Sequence, residues 1–432
     1  MLHGVAWYTT SFARLGTSIV GYGIIRGMHL IHRTWKHTVL VCGGVALLSL
    51  GIYGVSVLGV GTVTYMSDEL AQASATTKDK ALDAATTTYV AEQLVPVWPL
   101  PLDTADYDKR LLALSGYVPP QPVTITIPKS ATTSATTTTT VTPPSPLVYS
   151  STSNVTVTGK LWPKAAVYPH GGAIVPYKRI LAYYGNFYSR NMGILGEYEP
   201  DEVLRRLAST SAKWAAADPA TPILPAIEYI AIVAQADGGA DGMYRAVMPD
   251  REIEKAYELA HKANGILILD VQVGLSTLER EVPKFKKFLE RPDVHLAVDP
   301  EFSMKGGQKP GTVIGTHSAA DINYVINYLS TIVRENKLPP KVLLVHRFTQ
   351  NMVTGVSQIT PTPEVQVVMI MDGWGSKDLK RGTYGTVITP EPVQFSGIKL
   401  FYKNDLKAPS TGLLSPSEVL QLNPKPIYVQ YQ

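Results

Sequence analysis

The stretch 265–302, GILILDVQVGLSTLEREVPKFKKFLERPDVHLAVDPEF, decides the fold. It opens with Ile266-Leu267-Ile268-Leu269 and stops at Asp270; it closes with Val294–Val298 and stops at Asp299-Pro300-Glu301. Apolar runs this short, rich in branched side chains, suit parallel strands covered on both faces. Between the two lies Ser276-x-x-Glu279, a serine cap followed three residues later by a capping acid, which starts a helix. The unit is strand, helix, strand, and each strand ends in a carboxylate. Side chains alternate along a strand, so Asp270 shares a face with Gln272, and Asp299 with Glu301. Pro300 has no N–H to give to a ladder, so the second strand should end there and leave Glu301 at its mouth.

The same text repeats on both sides. From Arg179 onward the apolar runs are Ile180–Phe187, Ile223–Glu228, Ile266–Asp270, Val294–Asp299, Val342–His346, Val365–Met371, Ile398–Tyr402 and Ile427–Gln430. Helix signals separate them. Asp250 precedes REIEKAYELAHKANG, and Asn264-Gly265 closes that helix. Ser318-x-x-Asp321 heads another, and Ser415-Pro416-Ser417-Glu418 combines a cap, a first-turn proline and a capping acid. Eight such runs in about 250 residues match a TIM (β/α)8 barrel. A doubly wound open sheet would carry a Gly-rich phosphate turn after its first strand, where this chain reads GNFYSRNMG. Phosphate-loop and nucleophile-elbow patterns are missing too. Lys377–Ser396 shows no helix pattern and reads as a long loop.

In this fold the site lies at the C-terminal ends of the strands. Acids stand there repeatedly: Glu228, Asp270, Asp299 with Glu301, and Asp372, the last followed by Gly373-Trp374; the fifth strand brings His346. One such acid serves equally well as a helix cap or an ion-pair partner. Several on one rim raise each other's pKa and cost stability, which points to use. Two carboxyl groups flanking a bond, one protonated and one ionised, are the equipment of glycoside cleavage. Glu301 is the candidate general acid, with Asp299 or Asp270 as partner; Glu228, Asp372, Trp374, His346, Tyr184 and Gln272 are candidates for holding substrate. Trp374, between two glycines, is the best platform for a sugar ring. His295 reads as packed, while His261 and His317 read as solvent-facing. A histidine metal cluster needs two or three histidines on neighbouring strand ends, and only His346 qualifies, so no metal or cofactor is expected; a divalent cation held by carboxylates stays open.

The first third differs in kind. Residues 1–67 hold no Asp or Glu, and Thr38–Met66 runs without a charge, TVLVCGGVALLSLGIYGVSVLGVGTVTYM. About 20 apolar residues cross a bilayer as a helix. Basic residues before the run and Asp68-Glu69 after it place residues 1–37 in the cytoplasm and the rest outside, a single-pass plasma-membrane topology. Ala71-Gln72-Ala73 fits a signal-cleavage rule, but the run exceeds the roughly 7–15 residues of a signal core, so the reading is an uncleaved transmembrane anchor at 38–66. Residues 67–160 turn Ala/Thr-rich and Pro-rich, with ATTSATTTTTVTPPSP at 131–146, and read as a low-complexity stalk with a short helix near Asp103–Tyr117. The barrel domain is 161–432.

Composition narrows the function. The 432 residues are 45% hydrophobic and 17% charged, and 39 Lys+Arg against 35 Asp+Glu give +4. That balance gives no basic footprint for nucleic acid. A lone cysteine, Cys42, excludes an intrachain disulfide framework, a cysteine zinc site and a CxxC redox centre.

Two resemblances add to this. The segments AYYGNFYSRNMGILGEYEPDE (182–202), LPAIEYIAIVAQADGG (224–239), HLAVDPEFSM (295–304), KVLLVHRFTQNM (341–352) and VVMIMDGWG (367–375) resemble uncharacterised bacterial cell-surface (β/α)8-barrel proteins. More locally, Asp299-Pro300-Glu301 and Met369-Ile370-Met371-Asp372 resemble the strand-four Asp-x-Glu and strand-six Met-x-Tyr-Asp of chitinase-like glycosidases; muramidase-like barrels also end a strand in Asp-x-Glu. The chitinase-like pattern carries further aspartates two and five residues before the pair; here those positions are Ala297 and Val294, and Met371 stands in place of the tyrosine. With the anchor read above, the leading expectation is a membrane-anchored, extracytoplasmic barrel whose partners are the membrane and a polysaccharide or cell-wall glycan cleaved by carboxylate acid/base catalysis. The other expectation is a non-catalytic cell-surface barrel that binds glycan or a protein partner.

Overall fold

A computed structural model describes residues 98–115, 123–127, 137–141, 147–149, 155–157, 162, 166–391 and 393–432. The apolar run 38–66, Cys42 and the charges around them lie outside the described residues, among which no helix is long and apolar enough to cross a membrane.

From Arg179 onward, parallel strands alternate with helices and turns. The strands are β1 (Arg179–Gly185), β2 (Ile223–Ala234), β3 (Ile266–Val271), β4 (Val294–Val298), β5 (Lys341–Arg347), β6 (Val365–Met371), β7 (Phe395–Leu400) and β8 (Tyr428–Tyr431). Each pairs in parallel with the next along the chain, from β1–β2 round to β7–β8. The β8–β1 pairing, Gln430 against Ala182, closes the ring. The expected (β/α)8 barrel is therefore the observed one. Its sheet holds one further strand, Arg245–Val247, antiparallel to the end of β2.

That extra strand explains the largest departure from the sequence reading. The run beginning at Ile223 does not stop at Glu228 but continues to Ala234, because Arg245–Val247 pairs with Ile232–Ala234 and gives the overhang a ladder. β7 begins at Phe395, three residues ahead of the expected Ile398, since Ser396-Gly397 interrupts the apolar text without interrupting the strand.

Around the barrel, Ser318 and Ser415 cap helices where the sequence announces them. Helix α2 (Pro200–Ala217) follows β1 and is entered through its first-turn proline, and α3 (Asp250–Lys262) follows β2. Asn264 takes the left-handed conformation, φ 51°, that ends α3. Helix α4 (Ala319–Asn336) opens with the full capping box of Ser318 and Asp321. Between β3 and β4 the cap is Thr277, one residue past the expected Ser276, whose hydroxyl instead bonds Glu281 at 2.5 Å. The supposed loop after β6 contains a helix, α5 (Lys377–Thr383), capped by Ser376 and continued as a π-turn over Tyr384–Ile388. Gly382 and Gly385 hide it from a periodicity reading.

The N-terminal helix α1 (Thr104–Leu114) forms where the sequence suggested one. Its Tyr107, Leu111 and Leu114 are buried together with Trp162, Val175, Ile180, Ile268, Leu344 and Phe395, so it plugs the N-terminal end of the bore. The backbone of Leu114 accepts from Lys425 N at 3.0 Å, and Trp162 Nε1 donates to Gln394 O at 2.9 Å. Residues 104–114 fall inside the stretch read as stalk, yet they pack against the barrel. Farther along that stretch, Val123–Ile127 pairs antiparallel with Thr137–Val141, and Leu147–Tyr149 with Val155–Val157. These pairings are short strands within the stretch read as a low-complexity stalk. Threonine and valine are β-branched and favour strands whenever a partner strand is at hand.

Candidate active site

The lower bore is lined by Ile180, Ala226, Ile268, Ala297, Val342, Leu344, Val368 and Phe395, all buried. Two rungs higher the character changes, and every strand contributes a polar side chain. Tyr184 comes from β1, Glu228 from β2 and Asp270 from β3, each fully or almost fully buried. Asp299 follows β4, His346 is on β5, and Asp372 follows β6. Lys399 on β7 and Gln430 on β8, paired in register, complete the ring. Alternation along each strand produces it: the residues between them, such as Tyr183, Leu269, Val345, Met371 and Ile398, face the helices in the outer core.

The ring is wired internally. Tyr184 Oη donates to Asp270 Oδ2 at 2.7 Å. Gln272 Nε2 reaches both Tyr184 Oη and Asp299 Oδ2 at 3.3 Å, so Asp270 and Gln272 do share a face. On the far side, His346 lies between two acids, with Nδ1 at 2.8 Å from Asp372 Oδ2 and Nε2 at 3.2 Å from Glu228 Oε1. Tyr428 Oη donates to the other Glu228 oxygen. Lys399 Nζ stands 3.1 Å from Asp372 Oδ1 and 3.9 Å from the centre of the Tyr184 ring. Among the described residues, Asp270 Oδ1 is buried without a hydrogen-bond partner, as are both polar atoms of Gln430.

Electrostatics follow from burial and crowding. Burial pushes the Asp270 carboxyl up to about 7, with Asp299 and Glu228 adding to the rise and His346 opposing it. Asp299 is raised for the same first reason, although His346 and Lys399 pull it back. Burial would lower His346, but Asp372, Glu228 and Asp270 overcome it and hold the imidazole well above its usual range. Lys399 is likewise raised against its own burial by Asp372 and Asp299. Asp372, beside Lys399 and His346, falls below the usual carboxylate range despite being buried. The rim thus holds protonated and ionised carboxyl groups side by side, the condition for acid/base work.

Glu301 sits one step outward. β4 ends at Val298 as Pro300 requires, and Pro300–Phe302 forms a single 3-10 turn capped by Asp299, whose Oδ1 accepts from Glu301 N at 3.0 Å. The strand pleat therefore does not extend to Glu301, which reaches the rim through the turn. It is half-buried. Its carboxyl is pushed up to about 8, first by desolvation and then by the charges of Asp299 and Asp372.

The structure brings together Tyr184, Glu228, Asp270, Gln272, Asp299, His346 and Asp372, with Glu301 at their edge. Glu228 stands in mid-strand rather than at a strand end and still reaches the ring, because β2 overshoots it. Trp374 stands apart: it is 43% exposed, with Lys407 Nζ 5.1 Å from its ring centre. Its loop is braced by Lys380 Nζ, which donates to Gly373 O and Lys399 O at 2.7 Å and pairs with buried Asp405. His295 is packed as expected, accepting from Val342 N through Nδ1 at 3.0 Å, and His261 is exposed beside Asp293. His317 is a correction: it is buried, in a two-residue strand paired with Val353–Thr354.

Sequence reasoning missed Lys399, Tyr428 and Gln430. The signal was present in FSGIKL, where a lysine between Ile398 and Leu400 on a buried strand has to point into the bore. Gly397 belongs to the same device, since a Cβ there would stand 3.0 Å from Tyr428 Cδ1, and its absence gives the tyrosine room to reach Glu228. A group able to hold a metal also emerges: Glu228, Asp270 and His346 each offer one donor atom within 4.8 Å of the others.

No family model matches the chain, and no curated protein matches it. Among solved structures it is similar to HPPK-DHPS of Plasmodium falciparum with pteroate, at 9% identity and TM-score 0.29, over 62% of this chain and 46% of that one. It is similar to tryptophan synthase from M. tuberculosis at 11% identity and TM-score 0.27, over 59% and 83% of the two chains. GH26C from a Muricauda species matches at 9% identity and TM-score 0.26, over 58% and 70%. At these scores the likenesses carry no argument; the barrel rests on its own closed strand order.

Proposed function

We propose that the barrel is a glycosidase of extracytoplasmic polysaccharide or cell-wall glycan, held at the membrane by the N-terminal apolar run, with Glu301 as general acid and Asp299 as its partner carboxylate. One observation carries the reading: a polar ring with a side chain from every strand replaces the apolar bore at the C-terminal mouth, where barrel enzymes keep their sites. Within it Glu301 and Asp299 differ in the way two-carboxylate catalysis needs. Both Asp299 oxygens accept N–H bonds, from Glu301 N and Gln272 Nε2, which offset part of the rise that burial imposes on its carboxyl. The Glu301 side chain takes no hydrogen bond among the described residues and keeps a proton to near pH 8. A protonated, half-exposed carboxyl can deliver that proton to a leaving-group oxygen while a neighbouring carboxylate stabilises the positive charge growing on the sugar. Trp374, exposed and apart from the ring, offers an aromatic face for a more distant sugar unit.

Reducing ends released from cell-wall glycan and soluble polysaccharides by the purified full chain test the reading. Glu301→Gln keeps the shape and loses the proton, and should cut release about 10²–10⁴-fold. Turnover equal to the wild type in that variant removes Glu301 from the reaction. If no glycan is cleaved but one is bound, the non-catalytic surface barrel replaces this reading. Protease added to intact cells should release a fragment that begins in the Thr/Pro-rich segment if the barrel stands outside the membrane.

A further inference from the structure

We propose that Glu228, Asp270 and His346 form a binding site for one divalent transition-metal ion at the floor of the polar ring, a site independent of the glycan reading. The three come from β2, β3 and β5, are fully buried, and offer donor atoms that lie within 4.8 Å of one another.

Proximity alone would not distinguish a metal site from a buried ion pair. The wiring of the second atom on each side chain does. A ligating histidine ordinarily gives its other ring nitrogen to a carboxylate, and ligating carboxylates are hydrogen-bonded in turn. Here Asp372 Oδ2 holds His346 Nδ1 at 2.8 Å, which turns Nε2 inward. Tyr428 Oη holds Glu228 Oε2, leaving Oε1 on the His346 side. Tyr184 Oη holds Asp270 Oδ2 at 2.7 Å, leaving Oδ1, a buried oxygen with no partner. Each ligand is thus fixed from behind by a different residue and turns its other donor atom to the centre, where His346 Nε2 and Glu228 Oε1 meet each other and Asp270 Oδ1 meets nothing among the described residues.

The spacing suits an ion. Donors about 2.1 Å from a common metal stand about 3.0–3.4 Å apart at octahedral or tetrahedral angles. His346 Nε2 and Glu228 Oε1 are 3.2 Å apart. Binding releases the proton that His346 holds between Glu228 and Asp372, and the neutral imidazole with two carboxylates then balances a divalent charge inside a buried site. One imidazole with two carboxylates suits zinc or manganese, whereas magnesium prefers oxygen ligands and retains its waters.

Full-chain protein stripped with a chelator and titrated calorimetrically with ZnCl2, and separately with MnCl2, tests the site. The expected result is one ion per chain for at least one metal, with a rise in melting temperature on saturation, as any ligand of the native state produces. Asp270→Asn, close in shape to the native residue and free of the buried charge, should melt cooperatively yet lose at least tenfold in affinity and most of the metal-dependent rise. His261→Gln, which removes the exposed His261–Asp293 pair, should leave binding unchanged, as should Glu301→Gln. The proposal is overturned if neither metal binds, if binding survives Asp270→Asn undiminished, or if it is lost in His261→Gln. Glycan cleavage that persists in metal-free protein would leave the site standing and separate it from the reaction.

Discussion

The two halves of one bore are built on opposite principles. Below, α1 and the first rungs of the strands fill the barrel with Ile, Val, Leu and Phe, and stability comes from apolar area removed from water. Above, the same strands and the turns that follow them carry five carboxyl groups, Glu228, Asp270, Asp299, Glu301 and Asp372, against the cations Lys399 and His346. There stability depends on charge balance, and the acids outnumber what balance needs. The upper half is a cost the fold carries, and functional sites are where such costs concentrate.

That contrast predicts different responses to substitution, the largest at the cations. Lys399→Met strands Asp372 and its neighbours without their buried countercharge and should cost about 3–5 kcal/mol; a loss below about 1 kcal/mol in denaturant melts would mean that the upper ring is solvated and the contrast false. Leu344→Ala in the lower bore should cost roughly 2–5 kcal/mol through transfer and cavity terms. It should leave glycan binding unchanged, and a parallel loss of binding would show that the two halves are not separable.

Much of this was legible beforehand. All eight strands, the Ser318 and Ser415 caps and the Asn264 stop announce themselves through local chemistry, which a linear reading captures. Asp270, Asp299 and Glu301 were readable because an acid that ends an apolar run has few places to go. Lys399 could have been read from FSGIKL, as a lysine inside a buried strand; Tyr428 could not, because its meaning lies in a partner far along the chain, Glu228, across 200 residues. His317 looked exposed because its short strand exists only through pairing with Val353–Thr354. The metal-type grouping escaped because its histidine is single; the carboxylates that complete it come from other strands.

Two smaller effects sharpen the comparison. The Glu301 pKa is raised in the native state from 4.5 to about 8, so the folded protein holds this proton more tightly than the unfolded chain. Between those values the unfolded state binds fewer protons, and stability should fall as pH rises from about 5 to 8. Melting temperatures across that range should show the decline, and Glu301→Gln should flatten part of it; an identical slope in the variant would remove Glu301 as its source. Smallest, Trp374→Ala should weaken glycan binding by about 1 kcal/mol without moving the melting temperature, since the ring is exposed. A shift in melting temperature with unchanged binding would make Trp374 a packing residue.

The most direct test of the account measures turnover and stability on one variant. If the upper ring is kept for chemistry at the expense of the fold, Glu301→Gln should lower glycan cleavage about 10²–10⁴-fold and at pH 8 raise the melting temperature, because a neutral amide no longer faces Asp299 and Asp372 as a third charge. A variant that cleaves as fast as the wild type, or one that melts lower while losing activity, would contradict it.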